Sequence, residues 1–206
     1  MEKSLSDYIA LSKNIDDLKS DKNLKVAILS SFTLNGLSET LHVKCADLGI
    51  RYQSYVSGYN QYNQEILNSK SKLYNFSPDV TFLIIDVRNF FGNSFHSAHN
   101  TSDDERRILA KEKINELENL IQTFENNTKS KLVITTLNVP SYSPNGIIET
   151  KLQFGFHEMI EEVNTSLRQI SKNHVSLYVY DFRQFISKFG ENNILIIENF
   201  ILVIYK

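Results

Sequence analysis

Short continuous apolar runs alternate along this chain with stretches in which apolar residues recur every three or four positions. The first run, Val26-Ala27-Ile28-Leu29, has nothing polar until Ser30 and predicts a strand buried on both faces of a parallel sheet. Small hydroxyl residues follow (Ser30, Ser31, Thr33), then Asn35, then a helical period through Leu34, Leu37, Leu41, Cys45 and Leu48. Strand, tight polar turn and helix therefore succeed one another, and the helix points its free N–H groups back at the turn.

The same alternation organises the rest. Residues 1–22 predict an amphipathic helix with Leu5, Tyr8, Ile9, Leu11, Ile15 and Leu18 on its apolar positions and Ser4 or Ser6 as cap. Gly49 is placed to end the helix after the first strand, and residues 50–56 alternate as a second strand. Gly58 opens a turn into a polar, tyrosine-rich helix start, and the segment to Ser77 reads as a loop anchored by Leu73, Tyr74 and Phe76. VTFLIID after Pro78-Asp79 is the most apolar strand and so the central one, whereas residues 92–100, with His96 and His99, read as a polar, mobile loop. Thr101 or Ser102 caps a helix over 103–126, and residues 131–137 form strand four. A turn with Pro140, Pro144 and Gly146 leads to a helix striped by Phe156, Met159, Ile160, Val163, Leu167 and Ile170. Residues 175–180 form strand five, ending at Asp181. Five such alternations predict an α/β fold: three-layer, doubly wound, a mostly parallel five-stranded sheet in the flavodoxin-like order 2-1-3-4-5.

Composition narrows the partners. A length of 206 residues sustains one domain with a proper core, and a formal net charge of -2 gives no electrostatic reason to expect nucleic acid. The single cysteine, Cys45, excludes an intramolecular disulfide, and its helical spacing makes it a small core residue. The charged N-terminus lacks the apolar segment of a secretion signal, and no stretch approaches the roughly 20 apolar residues of a membrane span. A cytoplasmic protein with no membrane partner is expected. The stretch from Ile194 to Lys206 is apolar, broken by Glu198 and Asn199, and is expected to add an edge strand or to lie over the sheet end.

The carboxyl end of strand one is where an α/β sheet places ligands and nucleophiles. Acyl chemistry there needs a nucleophile, N–H donors for an oxyanion and a histidine base. Ser31 stands where a nucleophile would be exposed; Gly58 and Asn89 supply a backbone N–H and a side-chain amide to the same crevice, with Ser30, Thr33, Tyr59, Asn60, Asp86 and Arg88 as further lining. The bland alternative is equally open: the hydroxyls cap a helix, Asp86 and Arg88 pair with each other, and the Tyr59–Gln64 segment is an ordinary helix start. No histidine follows the last strand; His42 and His157 lie in helices, His96 and His99 in a loop, and His174 before strand five. Two histidines in a polar loop read as solvated, so no metal is expected, and SSFTLNG lacks the glycines and lysine of a phosphate loop. No cofactor is implied.

The strings AILSSFTLNGL, YVSGYNQYNQEIL, SKLYNFSPDVTFLIIDVRN, SYSPNGIIETKLQFGFHEMIEEVN and LYVYDFRQFISKFGENN resemble the N-terminal domain of FkbH-like proteins, of HAD-superfamily subfamily IIIC. The resemblance implies an SGNH-hydrolase-like fold over residues 1–193. The Gly-Asp-Ser block of that superfamily falls on Ser30-Ser31-Phe32-Thr33, with Ser31 its loose match. The second-block glycine corresponds to Gly58, and Gly-x-Asn-Asp falls on Asp86-Val87-Arg88-Asn89, or one residue over; the final Asp-x-x-His is not found. In full-length relatives a HAD domain follows, opening with a DLDNTLWGG-like motif, and helps load a glyceryl unit onto an acyl carrier protein. That domain is expected to be absent here, and residues 194–206 depart from the family pattern, as in a truncated or frameshifted product. Sequencing the downstream DNA tests this, since a locus with no HAD-like frame would refute it. The resemblance implies an accessory domain that binds an acyl group or the carrier protein's arm without independent hydrolysis. An autonomous esterase with Ser31 as nucleophile, and a docking module or remnant, stand as rivals.

Overall fold

The computed structural model describes residues 4–15 and 20–189. Its centre is β1 (Asn23–Ser30), whose last five residues are buried. It pairs in parallel with β2 (Arg51–Val56) on one side and with β3 (Val80–Ile84) on the other, so that Ile28 lies between Val56 and Phe82. β4 (Lys131–Thr135) and β5 (Leu177–Tyr180) continue the sheet in the order β2-β1-β3-β4-β5, all neighbours parallel. The order expected from the alternation is the order found. Parallel pairing forces every connection to cross over, which puts helices on both faces and all strand ends on one rim.

On one face, Ala27, Leu29, Leu83, Leu132, Ile134 and Leu177 pack against α3 (Tyr62–Leu67), α7 (Asp103–Asn127) and α8 (Phe156–Ser171). On the other, Val26, Ile28 and Ile84 meet Leu37, Leu41 and Cys45 of α2 (Leu37–Asp47) and Phe185 of α9 (Phe182–Phe189). α1 (Leu5–Ser12) packs on α2. Capping explains two helix starts: Ser4 with Asp7, and Ser102 with Glu105, form reciprocal capping boxes.

Four expectations change. The helix expected over 1–22 is observed as Leu5–Ser12, and residues 16–19 lie outside the described set. The loop before Ser77 contains α4 (Lys72–Phe76), built on the buried Leu73, with the Tyr74 hydroxyl donating to the Ile66 carbonyl at 2.6 Å. The segment expected to be a polar, mobile loop at 92–100 is helical. α5 (Val87–Phe91) runs into α6 (Asn93–His96) and a 3-10 turn (Ala98–Asn100), because Phe95 packs edge-on to Phe156 at 5.2 Å and the buried Arg106 donates to the carbonyls of Ala98 and Thr101. Finally, α2 begins at Leu37 with Gly36 as its N-cap, so the hydroxyls of the Ser-Ser-Phe-Thr turn do not cap it. The expected apolar edge or cover at 194–206 falls outside the described residues. Among the described residues, no helix is long and apolar enough to cross a membrane.

Candidate functional site

Because β1 and β3 are neighbours, the turns after them meet. Ser31 is fully buried there: its N–H donates to the Ile84 carbonyl at 3.1 Å, and its Oγ accepts the Asp86 N–H at 2.8 Å. Its carbonyl accepts the Asn89 Nδ2 at 2.5 Å. All three bonds stitch the first turn to the third. The expectation of an exposed hydroxyl is thus corrected, since a serine one residue past a central strand is walled in when the next turn folds down over it. Ser30 is buried too, and its Oγ accepts the Phe32 N–H at 3.0 Å. Thr33 is exposed.

Asp86 caps α5 by accepting the Arg88 N–H, and the same carboxylate takes Arg88 Nε and Nη2, each at 2.9 Å. This bidentate contact raises the guanidinium pKa above its ordinary value, with the Tyr142 phenol adding a smaller push. Arg88 is therefore oriented although its side chain remains 60% exposed. The pairing of Asp86 with Arg88 that the sequence allowed is observed.

One strand over, Ser57 N–H donates to the Ile28 carbonyl, and Gly58, Tyr59 and Asn60 follow on the same rim, all exposed. Asn60 has φ +53°, in the left-handed region where asparagine is among the best tolerated side chains. Tyr62 turns inward, and burial, with the Glu116 charge adding to it, pushes its phenol up to about 12. The rim thus presents the Tyr59 phenol, the Asn60 amide and the Arg88 guanidinium outward, while Ser31 lies beneath.

Sequence reasoning placed the turn after β4 but gave it no part in the site. His157 at the start of α8 bonds the Tyr142 carbonyl through Nε2 at 3.1 Å, so a tyrosine and a histidine join the rim beside Arg88. Glu149 holds this turn by accepting Ser143 Oγ at 2.5 Å, Asn145 Nδ2 at 2.8 Å and the His157 N–H at 2.7 Å. Burial pulls its carboxyl up, but these bonds outweigh burial and hold it below the ordinary value. The signal available was an Ile147-Ile148 pair inside a Pro/Gly turn, too short for any element.

Two of the histidines lie away from this crevice. His174 lies before β5, at the amino end of the sheet, where it bonds Glu125 at 2.5 Å; His42 stacks on Tyr52 near the start of β2. After β5, Asp181 caps α9 by accepting the Arg183 N–H and pairs with Arg168 at 3.1 Å, and the third residue beyond it is Gln184. Ser31 does the work of a tie between loops. No group of three or more His, Cys, Asp or Glu residues converges as a metal site among the described residues.

The family described as FkbH, N-terminal domain, matches residues 25–201. The chain belongs to that family. No curated protein matches it. Among solved structures, the N-terminal part of a Bacteroides fragilis protein containing a phosphatase domain, complexed with Mg, aligns with a TM-score of 0.76 at 18% identity, over 93% of this chain and 48% of that one. This FkbH-family chain thus spans about half of that structure. An acetylxylan esterase from Geobacillus stearothermophilus aligns with a TM-score of 0.53 at 14% identity, over 91% of this chain and 93% of its own. The acetyl xylan esterase AlAXEase aligns at 0.51 and 16%, over 82% and 85%. At these identities the likeness is one of fold: the FkbH-type N-terminal domain shares the SGNH-hydrolase-like α/β architecture of esterases.

Proposed function

We propose that this chain is the accessory, SGNH-hydrolase-like part of an FkbH-type glyceryl-loading system, holding an acyl group or a carrier protein's pantetheine arm at the carboxyl rim of the sheet without hydrolysing esters itself. The observation that carries this reading is the closed state of Ser31, fully buried with its Oγ already accepting the Asp86 N–H. A serine nucleophile must reach the substrate carbonyl and surrender its proton to a base. Among the described residues no histidine is hydrogen-bonded to Ser31, whereas the outward Tyr59, Asn60 and Arg88 remain able to bind carbonyl and phosphate oxygens. The Bacteroides fragilis neighbour contains a phosphatase domain, and in this reading a domain of that kind would take the phosphate-handling step of the system.

Incubation with a fluorophosphonate probe and with short p-nitrophenyl esters tests the reading. The expected outcome is no labelling and no turnover above buffer, with an acylated pantetheine analogue perturbing Tyr59, Asn60 and Asn89 in an NMR titration. Labelling that disappears on Ser31→Ala would instead establish an autonomous esterase.

A further inference from the structure

The two faces of the sheet are covered unequally. Toward α7 and α8, Leu83 of β3, Leu132 and Ile134 of β4 and Leu177 of β5 are all 4% exposed or less. On the opposite face the carboxyl half is closed as well, since Ile84 is buried in one cluster with Phe185 of α9. The amino half is not. Val80 stands two residues before Phe82 and shares its face; across the register Lys131 lies beside Val80, Val133 beside Phe82, and Tyr178 beside Val133. Val80, Phe82 and Val133 are half-buried, Lys131 is exposed, and Tyr178 is 52% exposed with Lys131 Nζ over its ring at 6.0 Å. Parallel sheets are covered on both faces, so an apolar strip running across β3, β4 and β5 calls for a cover.

The course of α9 selects that cover. The helix starts at the carboxyl rim, where the Phe182 N–H donates to Thr136 Oγ1 at 2.9 Å, and its eight residues carry the chain about 12 Å back along this face. The sequence that follows is polar from Gly190 to Asn193, and within residues 194–205 only Glu198 and Asn199 interrupt a run of aliphatic and aromatic side chains. Residues 190–193 can reach up to about 14 Å, more than the roughly 10 Å that separates β3 from β5.

Handedness excludes the other place for such a segment, the outer edge of β5. The connections from β3 to β4 and from β4 to β5 step toward that edge through α7 and α8 on one face, whereas α2 takes β1 to β2 the opposite way on the other. A strand added parallel to β5 through α9 would step toward the β5 edge on the face of α2, a left-handed crossover against a rule obeyed in about 98% of cases. An antiparallel strand there would have to begin at the rim that α9 has just left.

We propose that residues 194–205 are the cover of this half-face, packing their apolar side chains on Val80, Phe82, Val133 and Tyr178 of the same chain. The contact would also bury a segment whose composition otherwise favours β-aggregation.

Photo-crosslinking in the full chain tests this, with p-benzoylphenylalanine replacing Val80, Lys131 or Tyr178 one at a time. Lys131 and Tyr178 are exposed positions, so two of the three probes stand even if the one at Val80 disturbs the fold, and unchanged thermal melting verifies each variant. The expected result is that probes on β3, β4 and β5 alike link to a peptide from residues 194–205, and that a mixture of 14N and 15N chains gives no mixed-isotope product. Capture from Tyr178 alone would mean an edge strand and overturn the proposal. Mixed-isotope products would make the cover a second copy, and no capture from any probe would leave the face open; either result overturns it too.

Discussion

Ser31 shows how far one position of burial moves a residue from chemistry to structure. Removing its hydroxyl leaves the Asp86 N–H without its acceptor in a closed environment, a loss of about 1–3 kcal/mol. Ser31→Ala is therefore expected to lower the melting temperature by several degrees, about 2–4 °C per kcal/mol for a chain of this size, with no change in ester turnover. A calorimetric scan beside an esterase assay reads both, and an unshifted melt would show that the bond contributes nothing. Glu149 titrates in the opposite sense to a buried acid. Its folded pKa lies below the ordinary value of 4.5, so its stabilisation is complete above that value and is lost as pH falls through the lowered one. Glu149→Gln should accordingly be less stable than wild type by about 1–2 kcal/mol near neutrality, with the gap closing at acid pH, when the wild-type carboxyl is itself protonated. Melts compared at pH 7 and well below pH 4.5 check the sign.

Elements were legible in the sequence where periodicity was strong and opaque where short pieces lean on distant ones. Val26 to Leu29 and VTFLIID read directly as buried strands because a parallel sheet covered on both faces needs unbroken apolar runs. The Ser102 cap was likewise readable, since the serine and its Glu105 partner sit at the fixed capping-box spacing. By contrast α6 is four residues long and owes its position to Phe95 against Phe156, about sixty residues away, which no local pattern encodes. The burial of Ser31 was invisible for the same reason, as it depends on the turn after β3. Gly36 carries a testable element-level constraint. It begins α2 at φ +83°, and a Cβ there would lie 2.3 Å from Leu5 Cδ1 of α1. Gly36→Ala should cost about 1 kcal/mol for the left-handed backbone and more for the collision. Adding Leu5→Ala should recover the collision part and leave the backbone part. A double-mutant cycle by urea denaturation measures this, and strictly additive effects would separate α1 from the α2 start.

At the scale of the whole molecule, a parallel sheet divides its labour between two ends. The carboxyl rim gathers the exposed polar and aromatic groups of the turns after β2, β3 and β4, and the fully buried Ser31 ties the turn after β1 to the turn after β3. The amino end is fastened by a separate device. Glu125, in the last turn of α7, receives His174 Nδ1 at 2.5 Å and the Ser176 hydroxyl, tying the longest helix to the entry of the edge strand β5. Burial raises the Glu125 carboxyl, but the bonds from Ser176 and His174 prevail and hold it below its ordinary 4.5. The folded state therefore favours the carboxylate, and the tie strengthens the protein above that pH and fails as acid protonates it. Glu125→Gln is expected to lose about 1–2 kcal/mol at neutral pH, with hydrogen exchange accelerating first at β5, the edge strand on that side of the sheet. The amides after β3 should keep their protection, because Ser31, Asp86 and Asn89 are tied at the opposite rim. Exchange that rises equally at both ends would mean that the sheet opens as one unit and that the two fastenings are not independent.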